Sequence, residues 1–151
     1  MQGKTKKTIF IFIAVVIAIA AAIGYTMFNK KHFNVQNATP AAQITAIALQ
    51  QVFTTDSALA KNKFIGDVTN SKVIEVSGEI SAINKDLQDN TIILLKTSTN
   101  GAFINCTMEG EIATETIGSK IIVKGICTGY NYDADMGIPG DVIVTRCFIT
   151  K

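Results

Sequence analysis

The stretch KVIEVSGEISAINK, residues 72–85, decides the fold class of this chain. Apolar residues at positions 74, 76 and 80 alternate with polar residues, which is the period of a half-buried β-strand. Gly78 stands in the middle of the run. A glycine there predicts a bulge or a sharp bend, as in a strand that curls to serve two halves of one sheet. The stretch therefore predicts a long, bent strand in a curved sheet.

Four more strand-like runs follow, separated by turns rich in Gly, Asn and Asp. Their connections are too short for crossover helices, so a parallel sheet is excluded. Five such strands predict a mainly β fold, a five-stranded Greek-key barrel of the OB type over residues 67–151. The runs are TIILLKT (91–97), GAFINCTME (101–109), KIIVKGICTGY (120–130) and DVIVTRCFIT (141–150).

The beginning of the chain predicts a membrane anchor. Residues 9–28 read IFIFIAVVIAIAAAIGYTMF without a charge, and 20 apolar residues suffice to cross a hydrocarbon core of about 30 Å. We expect an uncleaved transmembrane signal anchor. The alternative is a cleaved signal peptide, because Ala18 to Ala22 offers small residues to a peptidase. No cysteine lies near this point, so a lipid-modified cysteine there is excluded.

The charges around the apolar run indicate its orientation and argue against nucleic acid. Three lysines precede the run, in a basic cytoplasmic tail predicted over residues 1–8, and two follow it, which favours the domain outside the cytoplasm. Residues 34–151 hold nine of the 14 basic residues and all 12 acidic ones, a net charge of −3. Proteins that bind nucleic acid normally carry a basic surface, so such a partner is not expected here.

Between the anchor and the barrel we predict a linker at 29–38 and a helical segment at 39–66 that packs on the barrel. Thr39 and Pro40 have the residue types of an N-cap and a first helical position. Ile44, Ile47 and Val52 then follow at helical spacing. Asp56 is the predicted cap of a second short helix that ends near Gly66.

The order of these segments resembles the tRNA-anticodon-like OB-fold family of small bacterial proteins. The resemblance covers about residues 41–151, and VKGICTGY (123–130) and DVIVTRCFI (141–149) carry it most specifically. It implies an OB fold in a secreted, lipoprotein or single-span membrane protein. It implies no shared activity. The loop NYDADMGIPG (131–140) is longer than the connection usual in the family.

Two cysteines, Cys127 and Cys147, lie on the fourth and fifth predicted strands. Neighbouring strands offer the Cα separation of about 4.4–6.8 Å that a disulfide needs, and an extracytoplasmic domain permits oxidation. A disulfide between them is therefore one expectation, which leaves Cys106 as the odd cysteine or as a replacement partner. The alternative is that all three act as small buried apolar residues. With the only histidine at position 32, neither a zinc site nor an activated cysteine nucleophile is expected.

The loop between the last two strands holds Asp133, Asp135 and Asp141. Its spacing departs from the EF-hand pattern, so a solvated turn is favoured over a calcium site. Tyr130 and Tyr132 flank this loop and are weak candidates for ligand binding, because aromatic side chains on an OB barrel can stack on bases or sugars. Arg146, the only arginine, is a third weak candidate, with pairing to a neighbouring acid as its alternative role.

The expected function is a membrane-tethered, non-catalytic OB-fold binding or assembly module of the bacterial inner membrane. Its C-terminal domain is expected on the periplasmic or extracytoplasmic side, with a protein, peptide or glycan partner and no cofactor. The alternative is a domain that binds single-stranded nucleic acid. An enzyme is not expected, because the numerous Ser and Thr residues lack a histidine or an ordered acid–base motif.

Overall fold

The structure is a computed structural model that describes residues 2–28, 33–66, 71–99, 101–110, 112, 115–133 and 137–150. It divides into two compact units, residues 1–33 and 34–151. The elements in chain order are α1 (Gln2–Phe28), β1 (Ala42–Thr45), α2 (Ala46–Thr55), α3 (Ser57–Phe64), β2 (Val73–Lys85), β3 (Thr91–Lys96), β4 (Phe103–Met108), β5 (Lys120–Asp133) and β6 (Ile138–Thr150).

The first unit contains α1, whose side chains are described at residue 13 and from residue 15 to residue 28. These side chains are exposed, including those of Ile17, Ile23 and Phe28. Among the residues that the structure describes, no helix combines the length and the apolar character required to span a membrane. The span over residues 9–28 therefore stays a prediction.

The second unit contains the predicted barrel. The strands are hydrogen-bonded in the order β2-β3-β4-β6-β5, and a further pairing of β5 with β2 closes the circle. Within this circle all neighbours are antiparallel except β4 and β6, which are parallel. This closed five-stranded Greek-key arrangement is that of an OB fold. The mainly β fold class and the OB barrel predicted from the sequence are confirmed.

Strand β2 serves both halves of the barrel, as its sequence predicts. Residues 73–79 pair with β5, and residues 80–85 pair with β3. The register shift lies between Ile80 and Ala82, so the bulge comes two or three residues after Gly78. A Cβ atom at Gly78 would approach the Cβ atoms of Ala46 and Leu95 to 3.0 and 3.2 Å. The glycine thus lets the start of α2 and strand β3 lie close to β2.

The helical segment begins later than its sequence predicts. Residues 42–45 form β1, which pairs in parallel with β2. The N-cap of α2 is therefore Thr45 and not Thr39. The Thr45 hydroxyl accepts a hydrogen bond from Ala48 N at 3.2 Å. The predicted cap of the second helix is confirmed, because the Asp56 carboxylate accepts a hydrogen bond from Leu59 N at 2.9 Å. The apolar residues at 44–52 have helical spacing, but pairing with β2 makes the first of them part of a strand.

The core fills the barrel and continues under α2. Leu49 and Phe53 of α2 are fully buried against the inward side chains of the strands. Part of the predicted linker also packs on the barrel: Val35 is buried with Val73 and Ile126, and Lys124 Nζ donates a hydrogen bond to the carbonyl oxygen of Gln36 at 3.2 Å. Residues 34–38 therefore belong to the folded unit. Of the remainder of the linker, Phe33 is exposed and belongs to the first unit, and residues 29–32 lie outside the described residues.

Candidate binding surface

The side chains of strands β3 and β4 alternate between the core and the outer side of the barrel. The buried side chains include Ile93 and Leu95 on β3 and Ile104 and Cys106 on β4. The residues between them are half-buried and belong to neither apolar core cluster. These outward residues include Ile92, Leu94, Phe103, Asn105 and Thr107.

The register joins the outward residues into one continuous surface. Ala82 lies opposite Leu94, Leu94 opposite Asn105, and Asn105 opposite Ile143 of β6. The row ends at Gly129 of β5, where an added Cβ would meet nothing within 4 Å. We define the outer face as seven half-buried residues on and beside this row: Ala82, Ile92, Leu94, Phe103, Asn105, Thr107 and Ile143. Asp141 and Thr145, which are also half-buried, lie two positions from Ile143 along β6 and form its edge.

The outer face as defined carries no charge. Lys96 stands at its edge, opposite Phe103, with its Nζ 3.8 Å from a carboxylate oxygen of Glu79. Asp141 stands at another edge, and its Oδ1 accepts a hydrogen bond from Phe103 N at 2.8 Å. The charged groups at the rim are thus engaged with neighbours. What remains is an apolar surface with amide and hydroxyl groups, the composition of a protein interface core.

The turn between β2 and β3 borders the outer face and is held by one carboxylate. Asp86 accepts hydrogen bonds from Gln88 N, Asn90 N and Asn90 Nδ2 at 2.8 to 2.9 Å. The side-chain hydrogen bond from Asn90 and the two backbone hydrogen bonds lower the pKa of Asp86. Leu87 is fully exposed at the tip of this turn. In OB folds the loop between these two strands is one of the elements that contact ligands.

The two tyrosines predicted as ligand contacts form the end of an aromatic ladder. The ring of Tyr130 packs against Phe53 of α2 with a centroid distance of 5.3 Å, and Phe53 lies 6.3 Å from Phe64. Tyr132 stacks on Tyr130 at 6.2 Å and 18°, and is 55% exposed. Tyr130 therefore serves mainly in packing, while the ring of Tyr132 is available to solvent.

Arg146 takes part in a surface ion pair. Its Nε lies 3.0 Å from a carboxylate oxygen of Glu109, as the alternative interpretation of this residue predicts. Arg146 is one of the described non-glycine residues with a positive φ, 55°, at a register shift of β6. It lies seven residues along β6 from Pro139, the partner of Tyr132. This spacing corresponds to roughly 23 Å of strand, so the structure does not bring the arginine and the tyrosines into one site.

The disulfide predicted between Cys127 and Cys147 is wrong in this structure, where all three cysteines are free and buried. The two residues are not cross-strand partners: Cys127 lies opposite Val144, and Cys147 lies opposite Met108. Register shifts in β6 move Cys147 away from the position opposite Cys127. The alternative interpretation, three buried thiols, describes the structure.

The thiols of Cys127 and Cys147 have little nucleophilic character. Burial raises the pKa of Cys127 to about 12. A side-chain hydrogen bond with Cys106, together with burial, raises the pKa of Cys147 well above its ordinary value. Buried thiols of this kind stay protonated at neutral pH and are chemically inert.

The acidic loop lies partly outside the described residues. Asp135 is not described, and of Asp133 only the backbone is. The carboxylate of Asp141 is engaged with the backbone of β4. Among the described residues no group of three potential metal ligands comes together.

Sequence reasoning missed the outer face. Its signal was present, because Ile92 and Leu94 alternate with the buried residues of β3, and Phe103, Asn105 and Thr107 alternate with those of β4. The sequence does not tell which side of such a strand faces the core when both sides are apolar.

Comparisons with known proteins place the chain in a family. No curated protein matches its sequence. A crystal structure from Klebsiella pneumoniae, of a protein named provisionally as a nucleic acid-binding lipoprotein, is similar at 18% identity and a TM-score of 0.47, over 74% of this chain and 93% of that chain. The tRNA_anti-like family model matches residues 1–137. This match begins before the resemblance expected from the sequence, which covers about residues 41–151, and it ends before it as well. The chain belongs to the tRNA_anti-like family.

Proposed function

We propose that the protein is a non-catalytic, membrane-tethered binding or assembly module, and that the outer face of its barrel binds a polypeptide partner in the bacterial cell envelope. The observation that carries the proposal is the uncharged row from Ala82 through Leu94 and Asn105 to Ile143. It lies on the strands whose outer side binds ligands in OB folds.

The chemistry of the outer face favours a polypeptide. Its apolar side chains, chiefly Leu94, Phe103 and Ile143, can bury area against a partner, while Asn105 can both donate hydrogen bonds to a peptide group and accept them from one. A phosphate backbone would find Lys96 at one edge and Lys85 beside the β2–β3 turn, and both of these lysines already lie beside a carboxylate, that of Glu79 and that of Asp89. A glycan would find one aromatic ring, that of Phe103.

The tether rests on the amino-acid sequence and on the exposure of α1. Residues 9–28 carry no charge, and lysines flank them on both sides. Ile17, Ile19 and Ile23 of α1 are 62, 55 and 55% exposed, and a lipid environment would remove this apolar surface from water. The excess of lysines before the run favours a barrel on the outer side of the inner membrane.

The non-catalytic character rests on the state of the candidate nucleophiles. The raised pKa values of Cys127 and Cys147 keep both thiols protonated. The single histidine of the chain, His32, precedes the folded unit. A thiol without a neighbouring base lacks the activation that covalent catalysis requires.

Co-purification from detergent-solubilised envelope membranes tests the role of the outer face. The full-length protein should retain a specific envelope protein, and Leu94→Glu should lose it because a charge would be buried at the centre of the interface. Ile117→Glu is the matched control, since Ile117 is 68% exposed and lies outside the outer face. Thermal denaturation checks that each variant is folded. Equal retention of the envelope protein by the two folded variants would contradict the proposal.

Protease accessibility in spheroplasts tests the tether and its orientation separately. We expect protease added outside to digest or release the barrel from the membrane fraction. Protection until the membrane is opened would place the barrel in the cytoplasm. A barrel that fractionates without membranes would refute the tether.

A second candidate function, binding of single-stranded nucleic acid, is favoured by the exposed ring of Tyr132 stacked on Tyr130. Such aromatic pairs can extend a stack of bases. The net charge of −3 in residues 34–151 opposes it. Fluorescence anisotropy with a labelled oligonucleotide at low salt decides: this function requires micromolar binding with a clear salt dependence, weakened by Tyr132→Ala. Our proposal predicts no such binding.

A further inference from the structure

We propose that a groove between the N-terminus of α2 and the barrel binds a single-chain amphiphile with an anionic head group, such as a fatty acid. The groove has a volume of about 890 Å³, within the range of about 300–1,000 Å³ that is usual for small-molecule sites. Its lining includes none of the residues of the outer face, although Lys96 borders both surfaces, and so this inference goes beyond the proposed function.

The groove exists because two strands stop short of each other along β2. Strand β1 ends at Thr45, opposite Ser77, and the pairing with β3 begins at Ile80. Between these points Gly78 and Glu79 have a strand neighbour only on the β5 side. Gly78 lines the groove with its backbone, because its Cβ direction is filled by Ala46 and Leu95, and the gap in the sheet opens into the groove.

The walls of the groove are largely aliphatic. Ile47, Ile121, Ile122 and Ile149 line it, and Ile47 and Ile122 are 47 and 43% exposed. Large apolar side chains that converge on one concavity and stay exposed there are typical of a site that is covered by a ligand. No described aromatic residue lines the groove. Its walls therefore suit an acyl chain rather than a base or a sugar ring, which would use stacking.

The rim of the groove is electropositive. Lys96 and Lys120 both line it, against one acidic residue, Glu79. Glu79 is the cross-strand partner of Lys120, and its carboxylate lies 3.8 Å from Lys96 Nζ, so one acidic residue stands against two basic residues. The N-terminus of α2, capped by Thr45, adds the positive end of the helix dipole. A carboxylate head group at the rim would complement this excess of positive charge.

Isothermal titration of residues 34–151 with fatty acids below their micellar concentration tests the proposal. Both described apolar core clusters lie entirely between residues 35 and 149, so this fragment carries the core of the folded unit. We expect saturable binding of one dodecanoate per chain. Affinity should rise from decanoate to dodecanoate by up to about fourfold per added methylene group, because each methylene is removed from water.

Variants and head groups identify the site. Ile122→Gln should weaken dodecanoate binding by tenfold or more, whereas Leu87→Gln, at a fully exposed position outside the groove, should not change it. Lys120→Gln should weaken binding of the carboxylate severalfold, and Lys85→Gln should not. Dodecylamine should bind more weakly than dodecanoate, because its head group is cationic.

Four results would overturn the inference. The first three are the absence of saturable dodecanoate binding, equal losses in Ile122→Gln and Leu87→Gln, and a preference for dodecylamine. A fourth is sedimentation with phosphatidylglycerol vesicles without binding of free dodecanoate, which would mean that a bilayer surface and not a single amphiphile is recognised. None of these results bears on the outer face.

Discussion

The thiol of Cys147 occupies the space that a side chain on Gly125 would need. A Cβ atom at Gly125 would lie 2.7 Å from Cys147 Sγ, and also 2.7 Å from Val144 Cγ1. Both contacts are shorter than real Cβ atoms show. This relationship explains why a glycine stands in the middle of β5, in the stretch VKGICTGY, and why Cys147 can turn inward from a strand that is shifted in register.

We therefore expect Gly125→Ala to destabilise the barrel by about 1–3 kcal/mol through overpacking. Cys147→Ala in the same chain should recover part of this loss, since it removes one of the two close neighbours. Urea denaturation of the four members of this double-mutant cycle measures the coupling. Additive losses would show that the thiol is not what excludes a side chain from position 125.

The buried thiol of Cys127 makes stability depend on pH in the alkaline range. Burial raises its pKa from 9.0 to about 12, so the folded state favours the protonated form more strongly than the unfolded state does. The resulting stabilisation is complete below about pH 9 and is lost as the pH rises toward 12. The free energy of unfolding should fall by up to about 1.4 kcal/mol per pH unit in that window from this group.

The difference between the protein and its Cys127→Ala variant isolates this effect, because the two proteins share every other ionisable group. Urea denaturation at pH 8 and pH 10.5 under reducing conditions should give a shallower pH dependence for the variant. Parallel curves, offset by a constant, would show that Cys127 ionises equally in the folded and unfolded states.

The carboxylate of Asp141 holds the start of β4 through the hydrogen bond from Phe103 N. Asp141→Ala should cost about 1.5–3 kcal/mol, the usual contribution of a charge-assisted hydrogen bond, and Asp141→Asn should cost less because an acceptor remains. Lys85→Ala, which removes an exposed ion pair with Asp89, is the control and should change stability by less than about 1 kcal/mol. If Asp141→Ala were as mild as the control, the hydrogen bond would not anchor the strand.

The backbone of Arg146 has a positive φ, and substitutions at this position test whether the backbone conformation or the side chain matters for stability. Glycine adopts this conformation without strain, so Arg146→Gly should be about 1 kcal/mol more stable than Arg146→Ala, although both lose the ion pair with Glu109. Thermal denaturation provides the comparison. A reversed order would mean that the side chain, and not the backbone conformation, determines the residue type at this bulge.

The positions of the strands could be predicted from the sequence, but the register in which the strands pair could not. The alternation in residues 72–85 is local, and so are the turn residues that separate the later strands. The register of β6 depends on bulges near Thr145 and Arg146, which no local pattern marks. For this reason the sequence correctly places Cys127 and Cys147 on neighbouring strands but cannot show that they fail to meet.

The outer face and the contacts at its edge could not be predicted from the sequence either, because they depend on pairing between distant strands. Ile44 and Ile47 have helical spacing, yet Ile44 lies in β1 because pairing with β2 outweighs a single turn of helix. Asp141 and Phe103 are 38 positions apart, and only the closed barrel brings them together. The outer face is likewise a property of register, since its row takes one residue from each of the five barrel strands.

Site-specific photo-crosslinking in intact cells tests most directly whether the outer face is the binding surface. A photoreactive residue at Asn105, in the middle of the face, should give one discrete crosslinked product with an envelope polypeptide. Leu94→Glu in the same chain should abolish that product. The same photoreactive residue at Ile117 should give none. A product of equal yield from both positions, or one that survives Leu94→Glu, would contradict the account.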